Sequence, residues 1–186
     1  KNTKKINPSK EQVLSKAFQF HSQGNIAEAA KYYQYLIIQG VPDHRVFSNY
    51  GLILKGLGKL KEAEITTRKA IKLNPNYALG HSNLGGILNS LGKLKEAELS
   101  IRKAIELNPE YANAHYNLGN ILRDLKKLSE AAISLKKAII LKPNFFEAHR
   151  DLGICLYLLK DIDSAIKCIV KANYFDKKNR TNKLLL

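Results

Sequence analysis

Leu73-Asn-Pro-Asn-Tyr77 recurs with small changes as Leu107-Asn-Pro-Glu-Tyr111 and as Leu141-Lys-Pro-Asn-Phe145. The three prolines, Pro75, Pro109 and Pro143, are therefore spaced 34 residues apart. Proline cannot continue a helix, so each pentapeptide predicts the end of one helix before the start of another. A fixed period of this length is typical of a protein built from stacked helical repeats.

The same 34-residue register aligns small residues along the chain, with glycines at 51, 85, 119 and 153 and alanines at 63, 97, 131 and 165. Small residues at equivalent positions allow two helices to cross closely. The register predicts five repeats, preceded by a basic N-terminal extension at residues 1–9. The repeats cover residues 10–43, 44–77, 78–111, 112–145 and 146–179, and we expect residues 180–186 to start a capping helix or a truncated continuation.

Each repeat reads as two amphipathic helices. In residues 78–111, apolar residues recur at helical spacing on both sides of the turn Gly92-Lys93. Helices of about 12 to 15 residues are marginal in isolation. Stacking on neighbouring repeats must supply the stability, as in solenoid proteins. The predicted fold class is therefore all-α.

At these positions the chain resembles the tetratricopeptide repeat (TPR) family. The resemblance implies a right-handed α-solenoid, a superhelix of tandem antiparallel helix pairs whose first helices line a concave groove. It also implies a non-catalytic scaffold that binds an extended peptide segment of a protein partner. The second repeat carries the family pattern as Phe47, Tyr50-Gly51, Leu54, Ala63, Thr67 and Pro75.

The candidate peptide-binding residues lie on the first helices, opposite the predicted core stripe. They are rich in asparagine and include several cations, which favours a polar or mildly acidic partner. The candidates are Arg45, Asn49, Lys55, Asn83, Asn89, Asn113, Tyr116, Asn117, Asn120, Arg123, Arg150 and Asp151.

Asn49, Asn83 and Asn117 occupy one position in successive repeats, and Asp151 follows at the same position. An asparagine amide offers a donor and an acceptor, so it can hold the backbone of a bound strand. The pattern resembles the asparagine ladders of TPR superhelices. The alternative is that these amides bond only to neighbouring helices.

The chain has 31 basic and 16 acidic residues, a net charge of +15. Basic pairs recur on the second helices at Arg68-Lys69, Arg102-Lys103 and Lys136-Lys137. Nucleic-acid binding through this outer surface is a less favoured alternative, because no aromatic stacking platform accompanies it. The sequence contains no methionine, so we expect a piece of a longer protein. A further alternative is the substrate-recognition arm of a larger transferase-type enzyme.

No catalytic or cofactor motif is present, so we expect neither enzymatic activity nor a cofactor in this chain. His81, His115 and His149 occupy equivalent positions about 10 Å apart and cannot share one metal ion. Cys155 is predicted to be buried and Cys168 exposed, without a disulfide between them. No segment is long and apolar enough to span a membrane. The expected setting is the cytoplasm of a bacterium, and the oligomeric state stays open.

Overall fold

The computed structural model describes the backbone of residues 9–184 and the side chains of residues 9–177. This part of the chain contains ten α-helices and no strand. The helices are α1 (Lys10–Ser22), α2 (Ile26–Ile38), α3 (His44–Gly56), α4 (Leu60–Leu73), α5 (Ala78–Ser90), α6 (Leu94–Leu107), α7 (Ala112–Asp124), α8 (Leu128–Leu141), α9 (Phe146–Leu158) and α10 (Ile162–Leu184).

The two ends of the chain are described unequally. Of the predicted basic extension, residues 1–8 lie outside the described residues, and Ser9 caps the start of α1. At the other end, α10 continues as one helix from Ile162 to Leu184, while residues 185–186 are again outside the described part.

The chain forms two compact halves, Lys1–Asn83 and Leu84–Leu186. In the N-terminal half, α1 packs on α2, α2 on α3, and α3 on α4. In the C-terminal half, α7 packs on α8, α8 on α9 and α9 on α10, and α6 contacts α7. Each half is thus built from helix pairs stacked in chain order, which is the solenoid arrangement that the repeats predict.

Glycine and alanine lie where the helices of a pair cross. A Cβ placed on Gly119 of α7 would stand 2.5 Å from Cγ of Leu135 and 3.3 Å from the carbonyl oxygen of Ala131, both on α8. Ala131 and Leu135 are fully buried. The absent side chain of Gly119 therefore makes room for Leu135, and the pair packs at close range.

The turns inside the repeats depend on a residue with left-handed backbone geometry. Gly58 and Gly92 have a φ of +74° just after the first helix of their repeats. In the fourth and fifth repeats the same position is held by Lys126 (φ +64°) and Lys160 (φ +69°). Lysine tolerates this geometry less well than glycine, so hydrogen bonds such as that from the amide of Lys127 to the carbonyl of Leu122 must hold the turn.

Candidate peptide-binding surface

In the N-terminal half, the first candidate cation is held by its own helix cap. Asp43 is the N-cap of α3 and accepts a hydrogen bond from the backbone amide of Arg45. The guanidinium of Arg45 returns to the same carboxylate at 2.6 Å and stacks 4.9 Å over the ring of Phe18. Burial opposes ionisation of Asp43, but the bonds and charge of Arg45 prevail and lower the pKa of this carboxyl.

Two of the predicted ladder amides make hydrogen bonds inside this half. Nδ2 of Asn49 donates to the hydroxyl of Tyr33 at 3.1 Å, and Nδ2 of Asn83 donates to Oγ of Ser48 at 3.0 Å. Tyr33 and Ser48 are completely buried, and both asparagines are half-buried. These amides therefore serve the packing of neighbouring helices, whatever else they bind.

Lys55 lies near the end of α3 and is half-buried. Burial lowers the pKa of its ammonium group, because desolvation disfavours the charged form. An anionic ligand bound at this position would stabilise the charged form of Lys55 and raise its pKa again.

In the C-terminal half, Asp151 of α9 is the centre of a charged cluster with α7. Its buried carboxylate accepts a hydrogen bond from the hydroxyl of Tyr116 at 3.0 Å and from Nε of Arg150 at 3.1 Å. Nη1 of Arg123 lies 3.7 Å from Oδ1 of the same carboxylate. Burial, with the charge of Asp151, raises the pKa of Tyr116, while a hydrogen bond from Asn120 opposes the shift.

Two asparagines of the C-terminal half carry acceptors with no partner. Oδ1 of Asn89 on α5 and Oδ1 of Asn120 on α7 are buried and accept no hydrogen bond. A buried acceptor without a donor costs about 1–3 kcal/mol. Both atoms would gain from a donor supplied by a ligand. On α7, Asn113 is exposed and Asn117 is half-buried and already has a partner.

The structure brings Tyr116, Arg123, Arg150 and Asp151 together at one point. We call the stripe of α7 and α9 around this point the α7–α9 surface. Its predicted members are Asn113, Tyr116, Asn117, Asn120, Arg123, Arg150 and Asp151. The candidates of the N-terminal half form no such cluster: Arg45 turns to Asp43, and Asn49 and Asn83 bond to different helices.

The sequence reasoning missed the partners of the candidates, namely Tyr33, Asp43 and Ser48. The signal for Asp43 was present, since an aspartate directly before a helix is a preferred N-cap. For Ser48, the signal was a small polar residue at a position that faces the first helix of the next repeat, where a buried hydroxyl needs a partner.

The basic pairs on the second helices are partly neutralised. Arg68 binds Glu64 at 2.9 Å and Arg102 binds Glu98 at 2.8 Å, each one helical turn apart. Lys127, in the turn before α8, also pairs with Glu98, its Nζ lying 3.1 Å from Oε2 of the carboxylate. Burial would raise the pKa of Glu98, but Arg102 and Lys127 outweigh it and the net shift is downward.

The histidines that repeat along the chain are bound to the backbone. Nε2 of His81, His115 and His149 lies 2.9 Å from the carbonyl oxygen of Pro75, Pro109 and Pro143, respectively. Within the described residues, no group of three or more His, Cys, Asp or Glu side chains is placed to hold a metal ion. The part of the chain that the structure covers also has no helix with the length and apolarity to cross a bilayer.

The cysteine predictions hold only in part. Cys155 is buried and unpaired with another thiol, as the register predicts. Cys168 is half-buried rather than exposed. It lines a shallow cleft with Ile139 and Leu152, because it lies on the side of α10 that faces α8 and α9. Burial raises the pKa of both thiols.

Comparison with protein families finds the repeat three times. Tetratricopeptide repeat models match residues 44–77 and 112–145, and a TPR repeat model matches residues 85–122. No curated protein sequence matches the chain. The two tetratricopeptide matches coincide with predicted repeats two and four.

Solved structures share the fold. The part of MamA from Desulfovibrio magneticus RS-1 that starts at residue 41 superposes with a TM-score of 0.77 at 21% identity, over 93% of this chain and 98% of that one. A crystal structure of MamA gives 0.74 at 22% identity, over 89% and 96%. YrrB, described as a TPR protein with an unusual peptide-binding site, gives 0.69 at 19% identity, over 90% and 86%.

These likenesses establish the α-solenoid class, and the repeat matches establish the family. The chain is thus a tetratricopeptide repeat protein, a member of a family whose helix pairs build protein–protein interaction scaffolds.

Proposed function

We propose that this chain is a non-catalytic scaffold that holds an extended peptide segment of a protein partner against the α7–α9 surface. The observation that supports it most directly is the unpartnered amide oxygen of Asn120 on this surface, and Asn89 of α5, another candidate of the predicted groove, carries a second one. Backbone N–H groups of a bound strand are the donors that such oxygens need. The terminal torsion of asparagine is soft, so a small rotation turns Oδ1 toward a ligand.

The charges of this surface favour a polar partner with at most a modest acidic character. Arg123 and Arg150 both face Asp151, which offsets one of their two charges. Exposed Asn113 extends the surface with another amide. A peptide that offers backbone groups and an occasional carboxylate fits this set. YrrB, which shares the fold, is described as having an unusual peptide-binding site.

The test begins with selection of linear peptides from a displayed random library on the immobilised protein. A selected peptide is then titrated by calorimetry against wild type, Asn120→Ala and Asn89→Ala. Each substitution should weaken binding by about 1 kcal/mol, roughly fivefold, because it removes one hydrogen bond. Lys103→Ala on α6, which lies away from this surface, is the matched control and should leave affinity unchanged.

Backbone recognition has its own readout. N-methylation of the peptide, one residue at a time, removes a single N–H donor without altering the side chains. A loss of affinity at particular positions, absent in the Asn120→Ala variant, supports the proposal. Equal affinity of all protein variants, or selection of no peptide, would contradict it.

A further inference from the structure

A basic cleft lies in the C-terminal half between the second helices α8 and α10. Its volume is about 290 Å³, and buried Leu152 and half-buried Ile139 give it apolar surface. We call it the α8–α10 cleft. The rest of its lining is Lys136, Ile140, His149, Lys167, Cys168 and Lys171. The cleft thus combines apolar surface with three positive charges.

This side of the repeats stays open where another repeat follows. Lys167 holds the position of Ile65, Leu99 and Ile133 in repeats two to four. These three residues are 71%, 70% and 68% exposed, although a further repeat comes after each of them. The exposure of the cleft is therefore a property of the second-helix side of the repeats.

The cleft lacks the carboxylates that neutralise basic residues one repeat earlier. There, Arg102 pairs with Glu98, and Lys103 pairs with Glu106. In the fourth repeat alanine and isoleucine replace the two glutamates, while both basic positions keep a lysine. None of the three lysines of the cleft forms an ion pair with a described residue.

One carboxylate, that of Asp161, lies near two of these lysines. Asp161 precedes α10 and accepts a hydrogen bond from the backbone amide of Ser164 at 3.2 Å. Hydrogen bonds from Ser164, followed by the charges of Lys136 and Lys167, lower the pKa of Asp161. A single negative charge thus faces three positive ones, and the cleft keeps a net positive charge.

A buried acceptor in the lining adds a second requirement for a ligand. His149 is 4% exposed, and its Nε2 lies 2.9 Å from the carbonyl oxygen of Pro143. A carbonyl only accepts, so Nε2 carries the proton of the neutral ring and Nδ1 is an acceptor. This Nδ1 is buried and has no hydrogen-bond partner. A ligand therefore gains by offering an N–H or O–H donor together with negative charge.

We propose that the α8–α10 cleft binds an acidic segment of a protein partner, with one apolar side chain against Ile139 and Ile140 and flanking carboxylates on the lysines. A peptide supplies the three groups that the cleft asks for, namely an apolar side chain, carboxylates and backbone N–H donors. Free phosphate has no apolar part. Nucleic acid binds best where exposed aromatic rings stack on its bases, and the lining includes no exposed ring.

This site is separate from the α7–α9 surface. His149 and Leu152 of α9 line the cleft, whereas Arg150 and Asp151 belong to the α7–α9 surface and lie on the opposite side of that helix. Asn120→Ala should therefore leave affinity for the α8–α10 cleft unchanged, and each proposal can fail without the other.

The test is fluorescence anisotropy of a labelled peptide, Gly-Glu-Asp-Phe-Glu-Asp-Gly, titrated with the full chain at about 150 mM salt, where loose attraction to the net charge is screened. Replacing the phenylalanine of the peptide by serine should weaken binding about tenfold, because apolar burial is lost. Replacing its carboxylates by amides should weaken binding to a similar extent.

Two substitutions on α8 form a matched pair. Ile140→Glu copies Glu106 of the preceding repeat and places a carboxylate in the cleft, so it should weaken binding at least about fivefold. Ile133→Glu makes the same charge change at an exposed position outside the cleft lining, and its affinity should stay within about twofold of wild type. Circular dichroism should show the same helix content in both.

The lysines have their own comparison. Replacing the three lysines of the cleft by glutamine should weaken binding about tenfold, since each exposed ion pair contributes about a factor of two. The same replacement of Lys61, Lys72 and Lys95, which are exposed on α4 and α6, lowers the net charge equally and should have little effect.

Cys168 reports occupancy of the cleft itself. Saturating peptide should slow its alkylation by iodoacetamide severalfold, measured by mass spectrometry, while buried Cys155 serves as the internal reference. Equal affinity of Ile140→Glu and Ile133→Glu, or unchanged alkylation of Cys168 at saturation, would overturn the proposal. A short single-stranded DNA that protects Cys168 and binds more tightly than the peptide would also overturn it and assign the cleft to nucleic acid.

Discussion

Nδ2 of Asn83 donates a hydrogen bond to Oγ of Ser48, which is completely buried on α3. The hydroxyl of Tyr116 donates to Asp151 across the same separation of 35 residues, in the other half of the chain. One position of the repeat thus ties a first helix to the first helix before it. The predicted ladder residues therefore contribute to helix packing in both halves. The stability of each variant must be measured together with its affinity for a peptide.

Removal of the Asn83 amide should cost stability. Asn83→Ala leaves the buried hydroxyl of Ser48 without its donor, and we expect the free energy of unfolding to fall by about 1 kcal/mol. Asn113→Ala, at an exposed position of α7, should change it by less than about 0.5 kcal/mol. Urea unfolding of the three proteins measures both values, and equal stability of the two variants would show that the Ser48 bond contributes nothing.

The close helix crossing at Gly119 predicts a larger effect. Gly119→Leu drives a side chain into Leu135, where even a Cβ would stand at 2.5 Å, and overpacking typically costs about 1–3 kcal/mol. The melting temperature of the variant should drop by several degrees. Gly56→Ala is the matched control, because a Cβ there meets nothing within 4 Å, and it should not lower the melting temperature.

The ion pairs of Glu98 should make the free energy of unfolding depend on pH. Arg102 and Lys127 keep its pKa in the folded state below the ordinary value of about 4.3, despite its burial. The contribution of Glu98 is therefore complete above the unfolded pKa and is lost as the pH falls through the folded pKa. Glu98→Gln should be less stable than wild type by about 0.5–1 kcal/mol near neutral pH and equal to it in acid.

Urea unfolding at about pH 7 and about pH 3 measures this difference. Glu106→Gln, which removes an exposed ion pair with Lys103, should have a smaller effect at neutral pH. A gap between Glu98→Gln and wild type that persists in acid would mean that the glutamate acts through packing instead of charge.

Repeat period and helix packing could be predicted from the sequence, because both depend on residue size and spacing. Gly119 and Ala131 have to be small because α7 and α8 cross at these two residues. The 34-residue register alone predicts that they meet there. The turn residues show a limit of such reasoning. Lys126 adopts the same left-handed backbone geometry as Gly92 one repeat earlier, although lysine has no intrinsic preference for a positive φ.

The candidate site was less predictable, since its electrostatics depend on distances that a helical wheel does not contain. Arg45 was expected to face a ligand, yet it closes onto Asp43, two residues away. Arg123 and Arg150 share the carboxylate of Asp151. A pattern locates a charge on a helix face, whereas the partner that neutralises it lies on another helix or in a cap.

Asp151 therefore sets how much positive charge the α7–α9 surface offers to a peptide. Asp151→Asn keeps the shape and can still accept from Tyr116, but it leaves Arg123 and Arg150 without their counter-ion. We expect the free energy of unfolding to fall by about 1–2 kcal/mol, because the guanidiniums are partly exposed and remain hydrated. The freed charges should strengthen binding of an acidic peptide several-fold and leave a neutral peptide of the same length unaffected.

Two measurements separate these effects. NMR titration of the Tyr116 ring should give a lower pKa in Asp151→Asn than in wild type, because burial persists while the adjacent negative charge is gone. Calorimetry with the acidic and the neutral peptide then reports the ligand preference. Should the pKa of Tyr116 fall while the acidic peptide gains no affinity, the two arginines would be structural partners of Asp151, and the peptide would have to bind through the amides alone.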